Sequence, residues 1–344
     1  MLTGLNCGRH RVYYEGDRLD PGIPTLAETL RERGYATGAV TGAGFVSALF
    51  GFSKGFDEYA MNQIQLKSAN LAGSGGKEAV EWLGKNSDKP FFLFLHTYQV
   101  HSYRSPDSYA ARFLGHTLRL KSFDVPAEVG VQSRVFNPYS PAEREDIISL
   151  YDAAIRYTDD ALIKPVVDAL RRRGLYDRTL IVVTSDHGEE FFDHRGWNHT
   201  HGVYDELLRI PLIVKMPGSK FKASRIDPIV RITDLMPTIL EIAGAPFGEE
   251  SINGRSLMPM LTGREKTDRV FLAEFAENAA SVQIPQRLAT NDGRRKLILN
   301  QPFSKEQIAF FQTRPPQPPP VELYDLRADP GERTNIADRP ENTP

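Results

Sequence analysis

Residues 180–214 read LIVVTSDHGEEFFDHRGWNHTHGVYDELLRIPLIV, and this stretch decides the fold class. It begins with LIVVT, an apolar and β-branched run that is typical of a buried strand approaching the carboxyl edge of a parallel sheet. Asp186 and His187 follow this strand, at the edge where open α/β sheets place their ligands. A carboxylate beside an imidazole, followed by Gly188, suits a divalent cation whose substrate comes close to the backbone.

Histidines crowd the same connection between two predicted strands. His194, His199 and His201 follow His187, so four of the chain's eight histidines lie here. We therefore predict a metal-dependent active site in this connection.

Length, net charge, apolar runs and cysteine content limit the kinds of protein that this chain can be. A chain of 344 residues can form one large domain with a smaller appendage, or two domains. The net charge of −2 gives no indication of nucleic-acid or anionic-membrane binding. No apolar run approaches the ~18 residues that a membrane span needs. Cys7 is the only cysteine, which excludes internal disulfides and thiolate metal clusters.

Helices and strands alternate along the first part of the chain. A helix is predicted over 25–33, and a second begins at Ser140 with Pro141 and a capping-box Glu143 and runs to residue 173, broken or kinked at Pro165. Further helices are predicted at 77–85 and 232–243, and strands at 36–40, 91–98, 180–184 and 210–215. This alternation predicts a three-layer α/β/α sandwich with a mostly parallel central sheet. Residues 115–140 show no clear period and are predicted to form a surface excursion.

The pattern changes after residue 250. Short strands are predicted at 270–275, 287–291, 295–300 and 321–326, with a hairpin turn at Asn291-Asp292-Gly293. The sequence thus predicts a catalytic domain over 1–250 and a small antiparallel α+β subdomain over 251–344. The proline-rich segment 314–320 is interpreted as a stiff connector, with partner docking as the alternative.

A series of motifs spans the chain in a fixed order. They are TGL (3–5), PTLAETLRERGYATGAV (24–40), GFSKGFDEY (51–59), PFFLFLHTYQVHSY (90–103), YDAAIRYTDDALIKPVVDALRRRGLYDRTLIVVTSDHGEE (151–190) and ELYDLRADPGERTNIA (322–337). Together they resemble the landmarks of the sulfatases, in the alkaline-phosphatase-like superfamily, over essentially the whole length.

The resemblance also concerns what precedes Met1. In the family, a first strand with metal-binding aspartates and a cysteine or serine nucleophile, matured to formylglycine in a C/S-x-P-x-R motif, comes before the segment that matches Met1–Gly4. Cys7 lies on the wrong side of this landmark and lacks the proline and arginine context, so it is not assigned as the nucleophile. The chain is therefore expected to be an N-terminally incomplete sulfatase with negligible activity alone, weak metal affinity and open sheet edges.

The resemblance implies roles for five residues. Asp186 and His187 match the family's second pair of metal ligands, for a divalent cation that is expected to be Ca²⁺, with Mg²⁺ or Mn²⁺ as alternatives. His101 matches a histidine that contacts the transferred group or the leaving-group oxygen, where it can donate a hydrogen bond or a proton. His199 and His201 lie where the family places a substrate-binding lysine or histidine; His199 is preferred, and one of the two is expected only to line the loop.

Other polar residues of these segments receive structural interpretations. His96 lies on a strand and is expected to be a hydrogen-bonded core residue rather than a ligand. His194 ranks below the other histidines as a substrate contact. Glu189 and Glu190 are interpreted as a solvated or capping acidic pair at the start of a helix.

One departure from the family pattern bears on the substrate. Arylsulfatases carry a Lys-x-His pair whose positions fall near Gly42 and Gly44 here. The leading hypothesis is a metal-dependent hydrolase of sulfate monoesters, acting on a small-molecule or carbohydrate sulfate ester. The alternatives are a phosphonate or phosphate ester hydrolase, which the Asp186-His187 pair favours, and a non-catalytic pseudoenzyme or fragment.

Overall fold

The computed structural model describes most of the chain. The described residues are 1–14, 16–42, 44–61, 69–120, 139–194, 196–199, 201–219, 223–245, 247–248, 251–276, 284–310 and 317–342. Most of the predicted excursion at 115–140, and residues 314–316 of the proline-rich segment, lie outside them. The strands are β1 (Ala36–Thr41), β2 (Glu58–Met61), β3 (Phe91–Leu95), β4 (Ile181–Thr184), β5 (Glu190–Phe191), β6 (Trp197–Asn198), β7 (Leu212–Lys215), β8 (Phe271–Phe275), β9 (Arg287–Asn291), β10 (Arg295–Asn300) and β11 (Val321–Asp325). The helices are α1 (Cys7–His10), α2 (Leu26–Glu32), α3 (Leu71–Asn86), α4 (Asp107–Leu114), α5 (Pro141–Thr158), α6 (Lys164–Arg172), α7 (Asp205–Leu208), α8 (Leu235–Ile242), α9 (Met258–Leu261) and α10 (Lys305–Phe310).

The central sheet is parallel on one side of the molecule. Strand β1 lies between β2 and β3, and both pairings are parallel. Strand β4 pairs with β7, and this pair is antiparallel, with Val182 opposite Val214. Among the described residues between β4 and β7, the chain forms a two-stranded hairpin and the short helix α7.

Helices cover both faces of the sheet. Phe92 of β3 packs against Leu26 of α2 and Met236 of α8. Phe91, one position earlier, faces the opposite side and packs with Trp82 in the cluster between α3 and α6. Because neighbouring strand residues point to opposite faces, this packing gives three layers. The predicted sandwich is confirmed.

The long helix that begins at the Ser140 cap is continuous. Ser140 Oγ accepts a hydrogen bond from the Glu143 amide at 3.3 Å, and Glu143 Oε2 accepts one from the Ser140 amide at 2.9 Å, which completes the predicted capping box. Pro165 does not break the helix. It lies in the first turn of α6, directly after a π-helical turn over Asp159–Ile163 that accommodates its missing N–H.

The C-terminal sheet packs against the loop that precedes α7. Its strand order is β11-β10-β9-β8, all antiparallel, and the predicted hairpin turn lies between β9 and β10. Ala289, Ile298 and Tyr324 on one face form a core with Val203. The small antiparallel sheet was predicted correctly, and its inner face supports the connection between β4 and β7.

Two apolar strands of the central layer, β3 and β4, are only partly covered. All residues of β3 and β4 are only half-buried, although both strands are strongly apolar. Within the described ranges, β3 pairs with β1 alone and β4 with β7 alone. None of the helices in the described part of the chain has the length and apolarity to cross a membrane.

Candidate active site at the carboxyl ends of two strands

Two strands end at the same place and deliver polar residues there. His96 directly follows β3, and its amide donates to Val40 O at 2.9 Å, which continues the β1–β3 ladder. Asp186 lies just beyond β4 and interacts electrostatically with His96. Burial lowers the pKa of the His96 ring, and the Asp186 charge opposes this shift. The His96 ring accepts a hydrogen bond from the Gly42 amide at 3.4 Å, and it borders the site.

Five side-chain rings form a continuous series around Asp186, here called the ring cluster: His96, Tyr98, His101, His199 and His187. The ring centroids are 4.8 Å apart for the first pair and 5.3 Å for Tyr98 and His101. The series continues from His101 to His199 at 4.9 Å and from His199 to His187 at 4.2 Å. The structure therefore brings His101, which follows β3, together with His187 and His199, which lie in the connection between β4 and β7.

Asp186 and His187 present an open carboxylate and an open imidazole. The Asp186 side chain is 67% exposed and that of His187 40%. The Nδ1 atom of His187 donates to Gly188 O at 2.8 Å, which leaves Nε2, 3.8 Å from Asp186 Oδ1, as the ring nitrogen with an available lone pair. Partial desolvation by the surrounding protein raises the pKa of Asp186, but His187, His96 and two backbone amides outweigh this effect and hold the pKa below its usual value. This donor pair fits part of a divalent-cation shell.

A complete metal shell is not found in the described part of the chain. Among its histidine, cysteine, aspartate and glutamate residues, no group of three or more is arranged to hold a metal ion.

Glu189 and Glu190 are buried partners of histidines, and their interpretation as a solvated or capping pair was wrong. They are 9% and 1% exposed, and Glu190 belongs to strand β5 rather than to a helix. Glu189 lies 3.1 Å from Nδ1 of His199, and Glu190 lies 2.5 Å from Nε2 of His201. Buried carboxylates require such partners because an unpaired charge is costly to desolvate. Glu189 therefore orients a ring of the cluster.

His201 and His194 have partners other than the rings of the ring cluster. Glu190, which engages His201, also accepts from the amides of His194 and Gly196 at 2.9 and 2.7 Å. Burial raises the pKa of Glu190, but its hydrogen bonds outweigh burial and the pKa is lowered. No ring contact between His201 and the cluster occurs in the part of the chain that is described. Of the pair His199 and His201, His199 is the one whose ring belongs to the cluster among the described residues.

His194 is held by a different set of contacts. Its Nδ1 lies 2.6 Å from Glu206 Oε1, its Nε2 lies 3.0 Å from Glu332 O, and its ring stacks on Tyr204 at 3.7 Å. Since both ring nitrogens face acceptors, the protonated form is favoured. Burial lowers the pKa of His194, but these contacts outweigh it and raise the pKa above 6.5.

A buried ion cluster joins this loop to the C-terminal sheet. Lys296 of β10 is completely buried, with Nζ 2.7 Å from Asp205 Oδ1 and 2.8 Å from Glu332 Oε1. Glu332 Oε2 also accepts from the Asp205 amide at 2.6 Å. Asp205 begins α7, directly after the loop that carries His199. The C-terminal sheet therefore holds the site loop through charges as well as through packing.

Three glycines near the site are required by close packing. A Cβ on Gly188 would lie 2.0 Å from Glu206 O, so protein backbone approaches this glycine, where the sequence had suggested a substrate. A Cβ on Gly42 would lie 2.6 Å from the Tyr98 ring, and one on Gly44 would lie 2.1 Å from the Tyr98 hydroxyl. Gly42 and Gly44 thus leave room for the Tyr98 side chain.

Sequence reasoning missed Tyr98, Glu189 and Glu190 as site residues. The two glutamates could have been predicted as site residues, because they form an acidic pair that is followed by histidines within one short connection. Tyr98 has the same strand parity as His96, but only the fold reveals the glycines that face it.

Comparison with known families covers the whole chain. A family model described as "Sulfatase" matches residues 1–245, and one described as "N-sulphoglucosamine sulphohydrolase, C-terminal" matches residues 191–344. Arylsulfatase K of Bos taurus is 26% identical over 98% of this chain and 68% of the bovine protein. The matched part spans only 48% and 51% of the rat and dog forms. The multifunctional alkaline phosphatase superfamily protein PehA of Trinickia caryophylli is 30% identical over 77% of this chain and 55% of PehA.

Solved structures show the same fold. BT4656 in complex with its substrate D-glucosamine-2-N,6-O-disulfate matches with a TM-score of 0.76 at 18% identity, over 99% of this chain and 83% of that one. The phosphonate monoester hydrolase of Agrobacterium radiobacter matches with a TM-score of 0.74 at 20% identity, over 99% and 81%. With an alkaline-phosphatase-like fold and a family match over 1–245, the chain belongs to the sulfatase family of hydrolases.

Proposed function

We propose that the protein hydrolyses sulfate monoesters, with the ester's anionic end bound in the ring cluster and a divalent cation held in part by Asp186 and His187. The observation that carries this proposal is the convergence of three histidines and one exposed carboxylate at the ends of β3 and β4. Such a convergence of titratable groups at the carboxyl edge of a sheet is typical of α/β active sites.

Asp186 and His187 would provide two ligands of the cation. When bound, a divalent cation neutralises sulfuryl oxygens and polarises the nucleophile. The carboxylate offers a hard oxygen, and Nε2 of His187 lies on the same side because Nδ1 is tied to Gly188 O. We propose Ca²⁺ as the cation, with Mg²⁺ and Mn²⁺ as the alternatives to compare.

His101 and His199 would act on the ester itself. Their rings are neighbours, with centroids 4.9 Å apart, so both can reach one bound sulfuryl group. Glu189 fixes the His199 ring through Nδ1, which supports a role in holding the anion. His101 would donate a hydrogen bond or proton to the leaving-group oxygen as negative charge develops there.

The substrate class is proposed from the similar proteins. BT4656 binds a disulfated glucosamine, and the C-terminal model is that of an N-sulphoglucosamine sulphohydrolase. We therefore propose a carbohydrate sulfate ester as the substrate, with small aryl sulfates as convenient probes.

Phosphonate and phosphate esters form the second candidate class. The Asp-His pair at 186–187 favours it, and PehA, at 30% identity, is described as multifunctional. Like a sulfate monoester, a phosphonate monoester carries one negative charge, so the same donors can bind it.

The test measures binding before turnover, because the family resemblance assigns no nucleophile within these residues. Binding of phenyl sulfate, phenyl phosphonate monoester and glucosamine 6-sulfate is titrated by calorimetry after EDTA treatment and after addition of Ca²⁺, Mg²⁺ or Mn²⁺. Replacing Asp186→Asn should weaken the binding of the preferred cation by roughly 10-fold to 100-fold, the effect of losing one charged contact. Turnover is then measured for the chain extended by any in-frame upstream coding sequence.

The matched control is His116→Gln. His116 is an exposed histidine whose contact is Asp146 rather than the ring cluster, so its replacement should leave binding unchanged. Ester binding that is indifferent to His199→Ala and to the cation would rule out the proposed site. Binding with no turnover by the extended chain would favour a pseudoenzyme.

A further inference from the structure

Tyr98 is the second ring of the ring cluster, between His96 and His101. It lies on the connection after β3, half-buried, with its ring between those of His96 and His101 at 4.8 and 5.3 Å. Its phenol also lies within electrostatic range of Asp186. Tyr98 is thus surrounded by the groups proposed to bind the ester and the cation.

The backbone opposite Tyr98 is shaped to admit its ring. Any side chain at Gly42 or Gly44 would overlap the ring or its hydroxyl, as the 2.6 and 2.1 Å distances show. Gly44 also has a φ of +58°, which disfavours other residues at this position. Two glycines therefore fix the phenol beside the histidines.

The hydroxyl of Tyr98 has an anchored oxygen and an available proton. The oxygen accepts a hydrogen bond from the Phe45 amide at 3.2 Å. No acceptor for the hydroxyl proton is found among the residues that the structure describes. A tyrosine phenol is protonated at neutral pH, so the hydroxyl is available as a hydrogen-bond donor.

We infer that Tyr98 is a substrate-binding residue whose phenol donates a hydrogen bond to an oxygen of the bound sulfate ester. This inference rests on the proposed function. A phenol held by a backbone amide is an oriented donor, and a bond to a charged oxygen is stronger than one to a neutral group. A conformationally fixed donor also loses little entropy when the ester binds.

The test compares two tyrosine-to-phenylalanine variants. Tyr98→Phe removes the donor and keeps the ring packing. Tyr59→Phe is the control, because the Tyr59 hydroxyl donates to Val46 O and supports the same Gly44–Val46 turn from elsewhere. Phenyl sulfate is titrated into the wild-type chain and both variants in Ca²⁺ buffer, and the melting temperature of each is measured. Tyr98→Phe should weaken binding by roughly 10-fold to 100-fold, and Tyr59→Phe by less than about 2-fold.

Each other outcome has a distinct meaning. If Tyr98→Phe binds as tightly as the wild type, the inference fails and the proposed function stands. If Tyr59→Phe loses as much affinity as Tyr98→Phe, the hydroxyl only supports the turn, and the inference also fails. If the wild type does not bind phenyl sulfate, the proposed function itself fails, and the inference with it.

Discussion

The buried ion cluster predicts a large stability loss for Lys296→Met. Lys296 is fully buried between Asp205 and Glu332, whose side chains are 24% and 1% exposed. Removing the ammonium leaves two neighbouring carboxylates without their shared cation, and breaking a buried pair in this way costs about 3–5 kcal/mol. Asp205 can regain some hydration, whereas Glu332 cannot, so we expect a loss of about 3 kcal/mol, near the lower limit.

Urea unfolding measures this loss, with Lys164→Met as the matched control. Lys164 makes an i,i+4 ion pair with Asp168, and its side chain is 65% exposed, so the same substitution there should cost only about 0.3–0.5 kcal/mol. The loss in free energy of unfolding caused by Lys296→Met should also become smaller as the pH falls. Burial raises the pKa of Glu332 while Lys296 opposes the rise, so without Lys296 this carboxyl takes up a proton more readily on acidification.

A double variant separates charge from packing. Adding Glu332→Gln to Lys296→Met removes one of the two uncompensated charges, so it should recover part of the lost stability. The reasoning is refuted if Lys296→Met is no less stable than Lys164→Met, or if its deficit grows in acid.

Two further substitutions test the site and its supporting loop. Gly44→Ala should lower both the melting temperature and the phenyl sulfate affinity by displacing the Tyr98 hydroxyl. The control is Gly34→Ala, which is also at positive φ but has no atom within 4 Å of the added carbon. This control should lose only the ~1–2 kcal/mol of folding stability that backbone strain costs. Equal effects of the two on binding would contradict the packing argument. His194→Gln should lower the free energy of unfolding by about 1–2 kcal/mol below pH 6.5, where the raised pKa keeps the wild-type ring charged against Glu206. The charge-dependent part of this loss should disappear as the pH rises through the folded-state pKa of His194. Stability curves of wild type and variant that stay parallel from pH 5 to 9 would exclude a charged His194.

Local signals made the secondary structure predictable. The helix starts at Thr25 and Ser140 follow from capping boxes whose partners are three residues apart, and both are present. The hairpin between β9 and β10 follows from a turn whose Asn291 side chain accepts from the Gly293 amide. In each case the interaction that determines the structure lies within a few residues, so the sequence displays it.

The direction of β7 and the burial of the glutamates were not accessible in this way. An apolar run such as that of β7 specifies a strand but not its orientation, which depends here on how the chain returns from β4. The Glu189-Glu190 pair shows the same limit for charges. A charged side chain resembles a surface residue in sequence, and only its three-dimensional partner allows it to be buried.

The C-terminal motif around Glu332 shows that the same limit applies to residues that support the candidate site. ADPGERTN at 328–335 is polar and turn-rich and is typical of a surface segment, yet Glu332 is 2% exposed and adopts a positive φ of 53°. Its partners Asp205 and Lys296 belong to segments that are distant in the sequence, and Asp205 follows the loop that places His199 in the ring cluster. A sequence division at residue 250 separates these charges, whereas the structure joins them. Since neither part can bury its own charges without the other, the C-terminal sheet is better understood as a support of the candidate site than as an appendage to it.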